Sequence, residues 1–341
     1  YLFRGFWLHT IFGEIEPPVM AATQTYYGIV MASIPFIALQ NGAAALFRTM
    51  GMSGITMKIS LMMNLINVAG NALCIFGLNM QVEGVAIPTL ISRMAAAGVI
   101  LALLRRPGLP LCIRGVLRPR LEGRMVKNIL SIGIPNGVES TMFHFGRLIL
   151  TSMVAAMSTS AIVANAVGNV IGQFHIFAAQ SIGLGMVTVV SRCVGAGDYA
   201  KARFYTRKLM KGMIWTQIAI NALCLAVTPL VLWAYHLSPE SGRLALILTA
   251  LHAVMSMVLY PLAFGVCNTL RAAGDARYTM WVSSISMWVL RIFAGYVLGF
   301  PFRLGVVGLW SAQVILDWSA RAICFGLRYR GRRWEEKALK G

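Results

Sequence analysis

The sequence predicts an all-α, multi-pass membrane protein, a helical bundle of two similar lobes. Three observations predict it. First, hydrophobic residues make up 58% of the chain and charged residues only 12%, with a mean hydropathy of +0.71. A soluble chain is about 25% charged, so this one needs lipid as part of its solvent. Second, apolar runs recur, each long enough for the ~20 residues that cross a bilayer. Third, one stretch occurs twice at a constant offset of 223. Gly42-x5-Arg48-x2-Gly51-x4-Thr56-Met57-x2-Ser60 returns as Gly265-x5-Arg271-x2-Gly274-x4-Thr279-Met280-x2-Ser283. So long a period in so apolar a chain marks two like halves.

Charges delimit the elements. Tyr1 to about Ile11 reads as the tail of an earlier helix. Complete spans are expected at about 24–47, 59–81, 84–104, 128–157, 161–191, 210–235, 244–269, 279–301 and 305–327. The run from Leu148 to Ser191 carries no charge and is too long for one span, so Ser158-Thr159-Ser160 should turn it back. The count is nine complete spans and one partial span.

The connections alternate in charge. One set holds 23 of the 30 Lys and Arg; the other holds Glu14, Glu16, Glu83, Glu240, Arg243 and Arg303. That bias puts the basic side and the C-terminus in the cytoplasm. The break from Arg105 to Lys127, with Pro107, Gly108, Pro110 and Pro119, reads as a cytoplasmic linker. The expected organisation is a partial first lobe over 1–104, the linker over 105–127, a second lobe over 128–334 and a tail over 335–341. Spans at 128–235 lack partners before them, so a regular repeat implies roughly 100 further residues upstream. Both copies face the same way, which makes the lobes parallel repeats.

Other classes fit poorly. The net charge of +19 is clustered between apolar runs, not along one face, so no nucleic-acid partner is expected. Six scattered cysteines include no CxxC, which favours small packing residues over a disulfide or metal framework. No paired-carboxylate motif, HExxH or GxGD lies in a span, and no P-loop is present, so neither an enzyme nor an ATP-driven machine is expected. A channel would need a pore motif or an oligomer signal, and neither is visible; a monomer is expected.

In this order and spacing, several short stretches resemble the multidrug and toxic compound extrusion (MATE) family. They are Leu46-Phe47-Arg48-Thr49-Met50-Gly51, Leu270-Arg271-Ala272-Ala273-Gly274-Asp275, Asn64-Leu65-Ile66-Asn67 with Gly84-Val85-Ala86, Ile132-Gly133-Ile134-Pro135 and Val194-Gly195-Ala196-Gly197-Asp198. The resemblance runs from about Pro18 to Arg333. It implies a two-lobe transporter bundle of six helices per lobe. It also implies antiport in the cell membrane, with drugs or organic cations leaving as H+ or Na+ enters and no organic cofactor. A flippase for a lipid-linked precursor, from the same superfamily, is the alternative.

Ionisable groups inside a membrane are costly and mark function or pairing. Glu139, four residues after Pro135 in a helix that Gly133 and Gly137 let bend, is the candidate for cation coupling or substrate binding. The bland alternative is a pair with Arg147 or His144. Asp317 and Arg321 share a helix face at i, i+4, and Arg291 on the preceding span could complete an intramembrane charge cluster. That cluster either fixes helix register or shares in binding. Asn64, Asn67 and Asn71 form one polar face, with Thr89 on the next helix. The resemblance implies a first-lobe cation site at Asn67, Asn71 and Thr89, while interhelical hydrogen bonding is the other reading. Asn165, Asn169 and Gln173 make a similar stripe, for a cavity or for packing. A sodium-coupled branch of the family has an Asp where this chain has Tyr260, which tilts the expectation toward H+. The repeat's Arg48 and Arg271 are expected at cytoplasmic helix ends, setting turn and topology.

Overall fold

The computed structural model describes residues 16–111, 122–331 and 334–335. Expectations for the partial helix ending near Ile11, for Glu14, for Cys112, for the middle of the linker and for most of the tail lie outside these residues. Nine long helices are present among the described residues: α1 (Pro17–Thr49), α2 (Ser53–Gly77), α3 (Glu83–Leu104), α4 (Gly123–Ala155), α5 (Thr159–Gly195), α6 (Tyr199–Ala234), α7 (Pro239–Ala272), α8 (Ala276–Gly299) and α9 (305–330). All but α4 and α9 are apolar and long enough to cross a membrane. Those two carry the ionisable groups that lower their hydropathy: Glu139 and Arg147 on α4, Asp317 and Arg321 on α9. The fold is an all-α, multi-pass membrane fold.

Several helices overrun the spans that charge delimits. The largest difference is at α6, expected from 210 and beginning at Tyr199. Lys201, Arg203, Arg207, Lys208 and Lys211 end the apolar stretch but not the helix, because all are good helix formers. Asp198 caps the start, accepting from the Lys201 amide at 2.9 Å. The Lys201 side chain and amide hold its carboxyl below the usual carboxylate range. At the predicted turn, Ser158 likewise caps α5, accepting from the Ala161 amide at 3.1 Å.

The repeated motif is a repeated helix end. Gly51 and Gly274 have φ of +80° and +81°, a conformation in which glycine carries no Cβ penalty. In the first copy the Met52 amide donates to Phe47 O and the Gly51 amide to Arg48 O; in the second, Asp275 donates to Leu270 O and Gly274 to Arg271 O. Both are Schellman caps, which satisfy the last carbonyls of a helix. Gly197, with φ +73°, closes α5 by the same two bonds, to Cys193 O and Val194 O.

The chain divides into two compact units, Tyr1–Arg120 and Leu121–Gly341. In the first, α3 packs against α1 and α2 around Phe47, Ile59, Ile100 and Leu104. Gly70 on α2 lies against Pro88 on α3 so closely that a Cβ would overlap the proline ring. In the second, α5 packs against α6 and α7, and α4 against α8. One apolar cluster gathers Met213, Leu270, Trp318 and Phe325, and another Val167, Leu248, Leu309 and Trp310. Large apolar side chains such as Phe76, Phe177, Trp215 and Trp233 are exposed, as surfaces bathed by lipid tails require.

Candidate functional site

A cavity of about 480 Å3 opens inside the second unit, walled by α4, α5, α7, α8 and α9. Its shape follows from three departures from the α-helix. Pro261–Gly265 in α7, Ser286–Phe293 in α8 and Ala312–Asp317 in α9 are π-helical. Such wide turns recur at functional sites because they re-aim side chains that an α-helix would stack in register. Here they carry Phe264, Met287, Arg291 and Gln313 onto the cavity wall.

Glu139 lies on that wall and is 9% exposed. Its partner is neither Arg147 nor His144, although both also line the cavity. The Glu139 Oε1 accepts from Arg271 Nη2 at 2.5 Å. This corrects the expectation that Arg271 only sets a helix end. The glycine cap leaves Arg271 in the final turn of α7, and from there its guanidinium reaches a carboxylate on α4. Two atoms of the pair stay buried without a partner, Glu139 Oε2 and Arg271 Nε. The pair is therefore incompletely satisfied, with room for one more donor or cation on the acid and one more acceptor on the base.

The structure joins Arg291, Asp317 and Arg321 into one cluster, fully buried at the carboxylate. Asp317 Oδ2 lies 2.6 Å from Arg291 Nη2, and Oδ1 accepts from Arg321 Nε at 2.7 Å. Ser286 adds a hydroxyl bond to the same Oδ1. Each guanidinium also lies over a ring, Arg291 over Phe143 at 5.1 Å and Arg321 over Phe264 at 5.5 Å, where the π face offsets part of the burial cost.

The α5 stripe is split. Asn169 and Gln173 line the cavity, while Asn165 accepts from the Trp310 indole at 3.0 Å and binds two helices together. Asn169 also donates to the Asn165 carbonyl at 2.8 Å. Tyr260 lines the cavity with its ring 4.3 Å from that of Phe264. In the first unit, Asn67 donates to Thr89 Oγ1 at 3.0 Å and Asn71 to Asn67 Oδ1 at 3.3 Å, while Asn64 is exposed. Arg93 donates to Ser33 at 2.5 Å, a partner invisible in the sequence.

Sequence reasoning missed a histidine pair. His252 on the cavity wall meets His175 at 3.0 Å between Nδ1 atoms, and Gln217 and Asn221 on α6 donate to the His175 carbonyl. It also missed Ser284, and it marked Ser283 only as the last residue of the repeat; both line the cavity. Small polar residues on an apolar helix give no periodic signal that separates a lining from a packing contact.

The MatE family profile matches residues 135–297, a segment that begins at Pro135 and contains Glu139 and Arg271. The chain is 28% identical to the uncharacterized transporter YisQ of Bacillus subtilis over 91% of its own length and 69% of that protein's. It is 20% identical to the probable multidrug resistance protein NorM of Thermotoga maritima, covering 97% of this chain and 72% of that one. A mutant of the Vibrio cholerae transporter VcmN shares the fold, with a TM-score of 0.86 at 15% identity, over 98% of this chain and 76% of that one.

Proposed function

The chain belongs to the MATE family of membrane transporters, and we propose that it is a secondary active antiporter, exporting small amphipathic drugs in exchange for H+ or Na+. The observation that carries this reading is the Glu139–Arg271 pair on the cavity wall. A buried carboxylate held by one guanidinium, with one oxygen free, is a site for which a coupling cation and the arginine compete. A proton or Na+ on Glu139 weakens its hold on Arg271. Because the two residues sit on α4 and α7, that change frees one helix end from the other. A coupling step of this kind biases alternating access of the two helical lobes. Organic cations are the substrate class the family resemblance implies, and Glu139 is the group available to one. In this reading no cofactor beyond the coupling ion is needed. The protein acts as a monomer in the plasma membrane, with its basic face and C-terminus in the cytoplasm.

The test uses full-length protein in everted membrane vesicles loaded with fluorescent amphiphiles, one cationic and one anionic, under an imposed pH or Na+ gradient. Gradient-dependent dye movement that Glu139→Gln abolishes is the expected result. Unchanged movement in that variant removes Glu139 from coupling. Absence of dye movement under any gradient, with scrambling of a lipid-linked sugar, assigns the protein to the flippases.

A further inference from the structure

The cavity is richer in positive charge and in free donors than a cation site calls for. Four guanidiniums line it, Arg147, Arg271, Arg291 and Arg321, against the single lining carboxylate of Glu139. Asp317, buried behind the wall, is bound by Arg291 and Arg321 together. Four cations against two anions leave two positive charges uncompensated, one of them on the exposed Arg147, and that surplus favours a counter-charge in the cavity.

The hydrogen-bonding inventory points the same way. Arg271 Nε, the Ser283 and Ser284 hydroxyls and the Trp318 indole N–H are buried without partners. All four residues line this cavity. Arg147 has no carboxylate partner among the described residues. Ser283 is only 3% exposed, and Arg321 donates to its carbonyl at 3.1 Å, so a guanidinium already stands at that turn of α8. The two hydroxyls can donate or accept, while among the lining atoms left without a partner the one that can only accept as a carboxylate is Glu139 Oε2. Buried donors left unmatched are a recognition surface for an acceptor.

On this basis we propose that the cavity of the second unit is a binding site for amphiphiles carrying a compact anionic group. Carboxylate, sulfonate and phosphate all qualify, seated among Arg147, Arg271, Ser283 and Ser284. The apolar body of such a molecule lies against Phe143, Tyr260 and Phe264, aromatic residues of the same wall. An ammonium group on the same molecule has Glu139 to meet, so zwitterions fit as well as anions. The assignment rests on the exporter reading for transport but not for binding. The anionic group has two sources, a water-soluble amphiphile or a lipid phosphate headgroup.

Calorimetric titration of the purified full-length protein with naphthalene-2-sulfonate and with 2-naphthyltrimethylammonium, equal in body and opposite in charge, tests the proposal. The sulfonate is expected to bind at least about tenfold more tightly, the effect of one charge-assisted hydrogen bond. Arg147→Gln, at an exposed position, and the double substitution Ser283→Ala with Ser284→Ala should each weaken the sulfonate by about tenfold and leave the ammonium unchanged. Equal or tighter binding of the ammonium overturns the proposal, as does sulfonate binding that both variants leave intact. The comparison of the two probes on the unmodified protein stands even if a variant does not fold. In lipid nanodiscs, displacement of the sulfonate by a polyprenyl phosphate assigns the site to lipid headgroups, and displacement only by soluble anions assigns it to drugs; displacement by neither overturns it. Gradient-driven export of a cationic dye without sulfonate binding sinks this inference alone. Sulfonate binding without gradient-driven export of any dye sinks the exporter reading alone.

Discussion

Asp317 is heavily committed, with both carboxylate oxygens bound. It is fully buried and bound by two guanidiniums and the Ser286 hydroxyl. Asp317→Asn keeps its shape and removes the charge that holds Arg291 and Arg321. Leaving two buried cations without their anion should cost roughly 3–5 kcal/mol, read as a large fall in the thermal midpoint of the detergent-purified protein. Glu139 differs, because it is bound by one arginine and one of its oxygens is free. Because Arg271 is partly exposed, Glu139→Gln should cost less than Asp317→Asn, about 1–3 kcal/mol and so a smaller fall in the midpoint, while abolishing coupling. Arg271→Lys keeps the charge but loses the guanidinium geometry, and gradient-driven export should fall by about tenfold. Retention of full export in Arg271→Lys would show that only the charge matters.

Helix ends and helix irregularities set the site, and the sequence shows the first far better than the second. The repeated Gly51 and Gly274 were legible because a positive φ leaves a glycine behind it. Gly274→Ala should cost ~1–2 kcal/mol through the left-handed backbone alone, measured as a lower thermal midpoint without loss of coupling. Gly308 is a different case. A Cβ there would meet the Leu298 carbonyl at 2.8 Å, so α8 and α9 touch backbone to backbone. Asp317 and Arg321 were also legible, since four residues on one helix must share a face. Their cap of Ser286, and the Arg271 partner of Glu139, were not. Glu139 and Arg271 lie 132 residues apart and meet only through tertiary packing. The π-helical turns of α7, α8 and α9 leave no trace in hydrophobic spacing, so the aim of Arg291 and Gln313 into the cavity had no sequence signal. The nine spans, by contrast, were legible from charge punctuation and the Ser158-Thr159-Ser160 turn, because charges collect outside lipid wherever packing supplies no partner, although the helices themselves run past those marks.

At the scale of the whole molecule, each unit has its own packed core, and the ionisable groups inside the second one converge on a single cavity. Driven transport needs such a group to bind substrate or ion in one state and release it in another, which separates coupling from binding. The most direct measurement of that separation compares two activities of the full-length protein in proteoliposomes. One is accumulation of a fluorescent amphiphile against its own gradient, driven by pH or Na+; the other is its exchange with unlabelled substrate when no gradient is imposed. With Glu139→Gln, exchange is expected to continue, weakened only for substrates whose ammonium group meets Glu139, and accumulation is expected to be lost entirely. Accumulation at the parental level in that variant would contradict the coupling role of Glu139.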